Sequence, residues 1–180
     1  YLATCIRLLR PIIPGISLEV GPMETSDYLP LVRAGAEGLV VYQETSDRAT
    51  YQSLHLSGPK RDYDWRFGCP ERAFDAGVRR IGIGALFGLC DWRQEALALG
   101  AHLEHLLRRC WKAHITVSFP RLRPAAGGFS PPYPLPDREF LQLICAFRIV
   151  YPQAGIVLST RESPRLRNIA MTLGVTLMSA

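Results

Sequence analysis

Residues 80–88 read Arg-Ile-Gly-Ile-Gly-Ala-Leu-Phe-Gly, an apolar run too short for a buried helix and framed by glycines. With no polar alternation, it has the pattern of a strand covered on both faces. Working outward from it, comparable β-branched runs recur at 16–20, 38–42, 114–119, 155–158 and 175–178. Segments of helical period lie between them. The clearest is 92–110, where Ala96, Leu99, Leu103, Leu106 and Cys110 repeat at three and four and form one apolar face.

Local chemistry marks the boundaries. Pro70 and Pro164 suit first helical positions, Ser163 a cap, and Gly35, Gly77 and Gly174 the exits. Asp137 is expected to cap the helix carrying Phe140, Ile144, Phe147 and Tyr151. Six strands joined by five helix-bearing crossovers predict an α/β fold with a parallel sheet, either doubly wound or part of a (βα) barrel. The connections 45–69 and 121–136 exceed what a crossover needs and are places to look for function; the second contains Gly127 and Gly128.

At 180 residues and 48% hydrophobic content, the chain can bury a core of its own and suits one domain. It starts at Tyr1 and stops at Ala180 after an apolar run, so 1–180 reads as part of a single domain truncated at both ends. The balance of 21 basic to 16 acidic residues gives +5, but the arginines are dispersed and form no stripe for nucleic acid. Cys5, Cys69, Cys90, Cys110 and Cys145 are an odd set with no metal-ligand spacing. No apolar stretch approaches membrane-span length, and a reducing, cytoplasmic compartment is the expectation.

In parallel βα folds, functional groups gather where strands end. Those ends carry Glu19, Met23 and Glu24; Gln43 and Glu44; Gly82, Gly84 and Gly88; Ser118, Arg121 and Arg123; Ser159, Thr160 and Arg161; and Ser179. Guanidinium groups can grip a carboxylate through paired hydrogen bonds, and acids and amides suit a ribose diol or an ammonium group. This is the equipment for an amino-acid-like ligand. Arg121, Arg123 and Arg161 have an alternative use in a structural network with acids such as Glu162. The glycines of 82–88 either admit a flat ligand or let a helix pack closely. His102 and His105 lack a third metal ligand and read as helix-surface residues beside Glu104.

The stretches VVYQET (40–45), GPKRDYDWR (58–66), IGIGALFGL (81–89), VSFPRLRPAAGG (117–128), ICAFR (144–148) and LSTRESP (158–164) together resemble the tyrosine-cleaving radical S-adenosylmethionine family. The resemblance runs from LEVGPM at 18–23 to MSA at 178–180. It implies a partial radical S-adenosylmethionine (βα) barrel from the third strand onward. The family's three-cysteine cluster motif is unmatched, so the [4Fe-4S] cluster would be bound by residues outside this chain.

By the same resemblance, Gln43 and Glu44 contact the ribose and amino-acid part of S-adenosyl-L-methionine. Arg66, eleven residues before Gly77, takes the cofactor carboxylate, and Gly82, Gly84 and Ala85 line the adenine side. Arg161 and Ser179, with Arg121 and Arg123 as further candidates, hold L-tyrosine. The implied reaction makes a 5′-deoxyadenosyl radical, abstracts hydrogen from tyrosine and cleaves Cα–Cβ to 2-iminoacetate and p-cresol for thiamine thiazole biosynthesis. Thiazole synthase is the implied protein partner. The rival readings are a tyrosine lyase of the [FeFe]-hydrogenase-maturase type and a non-catalytic truncated barrel acting through a partner surface.

Overall fold

The computed structural model describes residues 1–123 and 130–179, so Gly127, Gly128 and Ala180 lie outside the described residues. Six parallel strands form one sheet in sequence order: β1 (Ile16–Leu18), β2 (Ala36–Val40), β3 (Arg80–Gly84), β4 (His114–Ser118), β5 (Gly155–Ser159) and β6 (Leu177–Ser179). Helices α2 (Thr25–Ala34), α6 (Trp92–Arg109), α7 (Asp137–Val150) and α8 (Pro164–Thr172) each fill one crossover. The β2–β3 crossover holds three short helices, α3 (Arg48–Leu54), α4 (Tyr63–Phe67) and α5 (Cys69–Asp75), so 45–69 is largely helical rather than a loop. One further helix, α1 (Leu2–Leu9), precedes β1 and is not signalled by the strand pattern. Sheet and helices make a half-barrel.

The two faces of the sheet differ in chemistry. Leu39, Val41, Ile81, Ile83, Ile115, Val117, Phe119, Ile156 and Leu158 are buried in the apolar core together with Leu99, Leu103 and Leu106 of α6 and Ile144 and Phe147 of α7. Full burial of each large side chain contributes about 1.5–3 kcal/mol. The alternate residues are mixed, with glycine, serine and threonine beside valine, and a concave cavity of about 570 Å3 opens over Ser17, Val40, Gly82, Thr116 and Val157. The register puts Val40 beside Gly82, Gly82 beside Thr116, and Thr116 beside Gly155. A Cβ at Gly82 would come within 2.9 Å of Val40, and one at Gly84 within 2.7 Å of the Ser118 carbonyl and 2.9 Å of the Tyr42 ring. In this structure the glycines of β3 accommodate side chains that lean over from β2.

Most of the expected boundary signals hold. Ser163 Oγ accepts from Leu166 N at the start of α8, and Gly35 closes α2 at φ 116°. Asp137 is different. It is the first residue of α7 and makes no capping bond; its carboxylate turns to Arg121 instead. His102 is also not a surface residue. It is buried and stacked on Phe67, with ring centroids 4.0 Å apart. His105 is exposed and pairs with Glu71 at 2.9 Å.

Candidate active site

Beyond Val40 the second strand continues irregularly. Val41 N and Gln43 N donate to the carbonyls of Gly82 and Gly84, and Leu86 N donates to the Glu44 carbonyl. Side chains therefore keep alternating. Tyr42 and Glu44 line a cavity of about 210 Å3 together with Glu19, Val20 and Arg66. Gln43 turns away, donating to the Tyr63 carbonyl at 3.4 Å, and its buried Oε1 has no hydrogen-bond partner among the described residues. Neighbouring residues in such a run cannot share a face, so a period-of-two reading of 40–44 already separates Tyr42 and Glu44 from Gln43.

Arg66 reaches this cavity from α4, whose start is capped by Asp62 accepting from Trp65 N. Its Nε donates to the Tyr42 carbonyl at 2.8 Å, and its Nη2 lies 3.4 Å from Glu44 Oε1. Lys60 Nζ approaches the same carboxylate oxygen at 2.6 Å. Arg66 is only 13% exposed, so its charge is little screened, and it lines the cavity. Glu44 itself has φ 78°, the one non-glycine residue in the left-handed region among those described.

Tyr42 links this group to the later strands. Burial pushes its phenol up, the Ser118 hydroxyl and the Arg161 charge pull it back, and Glu19 raises it. Charges and a hydroxyl from the ends of β1, β4 and β5 thus act on the Tyr42 phenol, a residue the motif reading passes over. At the ends of β5 and β6, Ser159 pairs in register with Ser179. Ser159 Oγ accepts from Arg161 N at 3.3 Å and Nε at 3.4 Å. Arg161 is exposed and makes no ion pair among the described residues.

Arg121 and Arg123 are placed differently. Arg121 is buried, and all its donor nitrogens are committed: to both oxygens of Glu162, to the Leu135 carbonyl at 2.8 Å and to Asp137 Oδ1 at 2.9 Å. Arg123 joins Glu162 from a half-exposed position. The alternative use of these two, in a network with Glu162, is the arrangement in this structure. Gly82 and Gly84 border the concave face, while Ala85 is buried and bridges to Glu44 through backbone.

The cysteines are dispersed. Cys69 meets the Tyr28 hydroxyl at 3.0 Å, Cys90 meets Glu95, and Cys110 is buried at the end of α6. Among the described residues, no three His, Cys, Asp or Glu side chains gather as metal ligands, so they do not fit a cluster. The Arg66, Glu44 and Tyr42 cavity does fit the polar end of an amino-acid-bearing cofactor. It offers a guanidinium for a carboxylate, and carboxylates for an ammonium group or a diol.

Residues 118–180 match the model of the Biotin and Thiamin Synthesis associated domain. The chain is 40% identical over its whole length to the 2-iminoacetate synthase of Escherichia coli (strain K12), covering 48% of that protein. It spans about half the length of the curated relatives it matches. Among solved structures, it superimposes on HydG, a maturase of the [FeFe]-hydrogenase, with a TM-score of 0.92 and 33% identity, covering all of this chain and 42% of that one. The HydG of Carboxydothermus hydrogenoformans gives 0.86 and 37%, covering all of this chain and 44% of that one. The sequence resemblance to the tyrosine-cleaving radical S-adenosylmethionine enzymes is thus matched by whole-chain identity and by the half-barrel fold.

Proposed function

We propose that this chain, similar along its whole length to 2-iminoacetate synthases, is the later part of a radical S-adenosylmethionine barrel that cleaves the Cα–Cβ bond of L-tyrosine to 2-iminoacetate and p-cresol for thiamine thiazole formation. The observation that carries the reading is the little-exposed Arg66 guanidinium, which shares a cavity at the carboxyl ends of the first strands with Tyr42, Glu44 and Glu19. Bound S-adenosylmethionine, with a [4Fe-4S] cluster held by residues outside this chain, supplies the hydrogen-abstracting radical chemistry. The residues of this chain bind and orient.

Arg66 takes the carboxylate of the cofactor's methionine part, and Glu44 takes its ammonium group or ribose. Gln43 acts from beneath, through its hold on the Tyr63 carbonyl. Gly82 and Gly84 form the wall on the adenine side, with Ala85 packed behind it in the core. Arg161 and Ser179 hold the tyrosine carboxylate, with a guanidinium fixing plane as well as distance. Arg121 and Arg123 support that grip by anchoring Glu162, the residue next to Arg161. We place the protein in the cytoplasm with thiazole synthase as partner. Among the described residues, no helix is long and apolar enough to cross a membrane. The [FeFe]-hydrogenase maturases share the fold, and the higher identity to the 2-iminoacetate synthases supports the thiamine branch.

The test is anaerobic binding of S-adenosylmethionine and of tyrosine to the whole protein, with p-cresol yield, for Arg66→Ala and Arg161→Ala. Arg66→Ala is expected to weaken cofactor binding and everything after it, whereas Arg161→Ala spares cofactor binding and weakens tyrosine binding. Normal tyrosine affinity and p-cresol formation in Arg161→Ala would return Arg161 to a purely structural role.

A further inference from the structure

Glu95, in the first turn of α6, carries a carboxylate that is only 2% exposed yet forms no ion pair among the described residues. Its partners are hydroxyl, amide and thiol groups. Oε2 accepts from Thr45 Oγ1 at 2.5 Å and Cys90 Sγ at 3.0 Å, and Oε1 accepts from Ser46 N at 2.8 Å and from the Ser46 hydroxyl. Burial and the neighbouring carboxylate push the Cys90 thiol up to about 12, so it stays protonated as a donor. A buried carboxylate is costly unless its oxygens are satisfied, and here four donors satisfy them.

All of these donors lie at strand exits. Thr45 and Ser46 directly follow Glu44, and Cys90 follows the Gly88 turn beyond β3. The attachment extends further, because Thr45 Oγ1 accepts from Asp47 N, Asp47 caps α3, and the Ser46 carbonyl accepts from the Tyr63 hydroxyl of α4. Glu95 therefore fastens the segment that bears Glu44 and, through Tyr63, the helix that bears Arg66. A non-glycine residue at φ 78° is strained and persists only where its surroundings over-determine it. The chain on the far side of Glu44 is tied down at two consecutive residues, and Glu95 receives both ties.

We infer that Glu95 is a positioning residue that holds Glu44 in its left-handed conformation through Thr45 and Ser46, fixing the Glu44 carboxylate beside Arg66 for the amino-acid end of the cofactor. The inference rests on the reading of that cavity as the S-adenosylmethionine site. Glu95 lies behind the strand end and touches no ligand; it acts through its neighbour.

A double-mutant cycle in the whole protein tests this, with S-adenosylmethionine as the probe in anaerobic calorimetry and circular dichroism as the check of folding. Glu95→Ala is expected to weaken binding about tenfold when Glu44 is present, the size of one lost charge-assisted hydrogen bond. In the Glu44→Gln background, the same change is expected to weaken it less than about twofold, because residues acting through one another are non-additive. Glu95→Gln keeps one carbonyl acceptor and is expected to retain most of the affinity. Thr45→Ala, a milder cut of the same tie, is expected to reproduce the direction of Glu95→Ala and serves if that variant does not fold. Equal losses in both backgrounds, or no loss from Glu95→Ala or Thr45→Ala, overturn the positioning role. An unmutated whole protein that binds no S-adenosylmethionine overturns the reading of the cavity and this inference with it.

Discussion

Arg121 and Glu162 meet through two parallel hydrogen bonds across the carboxyl ends of β4 and β5, and both side chains are almost wholly withdrawn from water. The pair is completed by the Leu135 carbonyl, by Asp137 and by Arg123, so the buried charges are balanced and their donors used. Removing Glu162 leaves the buried Arg121 with only the exposed Asp137 carboxylate opposite it and strips two of its hydrogen bonds. Glu162→Ala is expected to cost about 3–5 kcal/mol and Arg123→Ala, half-exposed, less than about 1 kcal/mol, read as shifts in urea midpoint at constant slope.

His102 should make stability depend on pH. Burial, then the nearby His105, lowers its value from 6.5 to about 4, with Glu71 opposing. The unfolded chain therefore binds more protons than the folded one between these values. The contribution is fully present above 6.5 and is lost as pH falls through that window toward 4. At about pH 5 the protein should have lost on the order of 1–2 kcal/mol relative to about pH 7 through this residue, and His102→Phe should flatten that part of the profile.

Gly84 and Gly21 should differ in how strongly they resist alanine. At Gly84 the added methyl meets a backbone carbonyl and an aromatic ring, whereas at Gly21 it meets nothing within 4 Å. Gly84→Ala is expected to destabilise by about 1–3 kcal/mol and Gly21→Ala by less than about 0.5 kcal/mol in thermal or urea melts.

Gln43 and Glu44 should also separate, despite being adjacent. Gln43→Met removes a buried oxygen that has no partner among the described residues together with the donor to the Tyr63 carbonyl, and is expected to cost about 1 kcal/mol while lowering S-adenosylmethionine affinity by no more than about threefold. Glu44→Gln weakens the contacts to Arg66 and Lys60 and is expected to lower that affinity by about tenfold, measured by calorimetry on the whole protein.

These contrasts also mark where the sequence is readable. Strands declare themselves because parallel sheets packed by helices favour apolar, β-branched runs, and 80–88 supplies one, while 114–119 shows itself by alternation, with Ile115, Val117 and Phe119 buried. The start of β2 does not, since Ala36 and Glu37 fall between the Gly35 exit and the apolar run at 38–42 and become strand only through pairing with β1. The arginines after β4 and β5 are visible as a group, but composition does not tell Arg121, sunk against Glu162, from Arg161, left at the rim. That depends on which side of the strand exit each residue leaves from. Glu95 is invisible as a site residue because the partners that matter to the cavity, Thr45 and Ser46, lie about fifty positions earlier, and only the fold brings them together.

The strand order carries a consequence for how the molecule is made. Every ladder joins a strand to the one immediately before it in the chain, from β1 with β2 through β5 with β6. Among the described strands none has to wait for a partner synthesised much later, so each of these βα units can add to the strand made just before it. The entropy of closing each loop is limited to the length of one crossover. A stalled or slowly translated chain of this kind would carry a partly built but native-like sheet, with its last completed strand as the exposed edge.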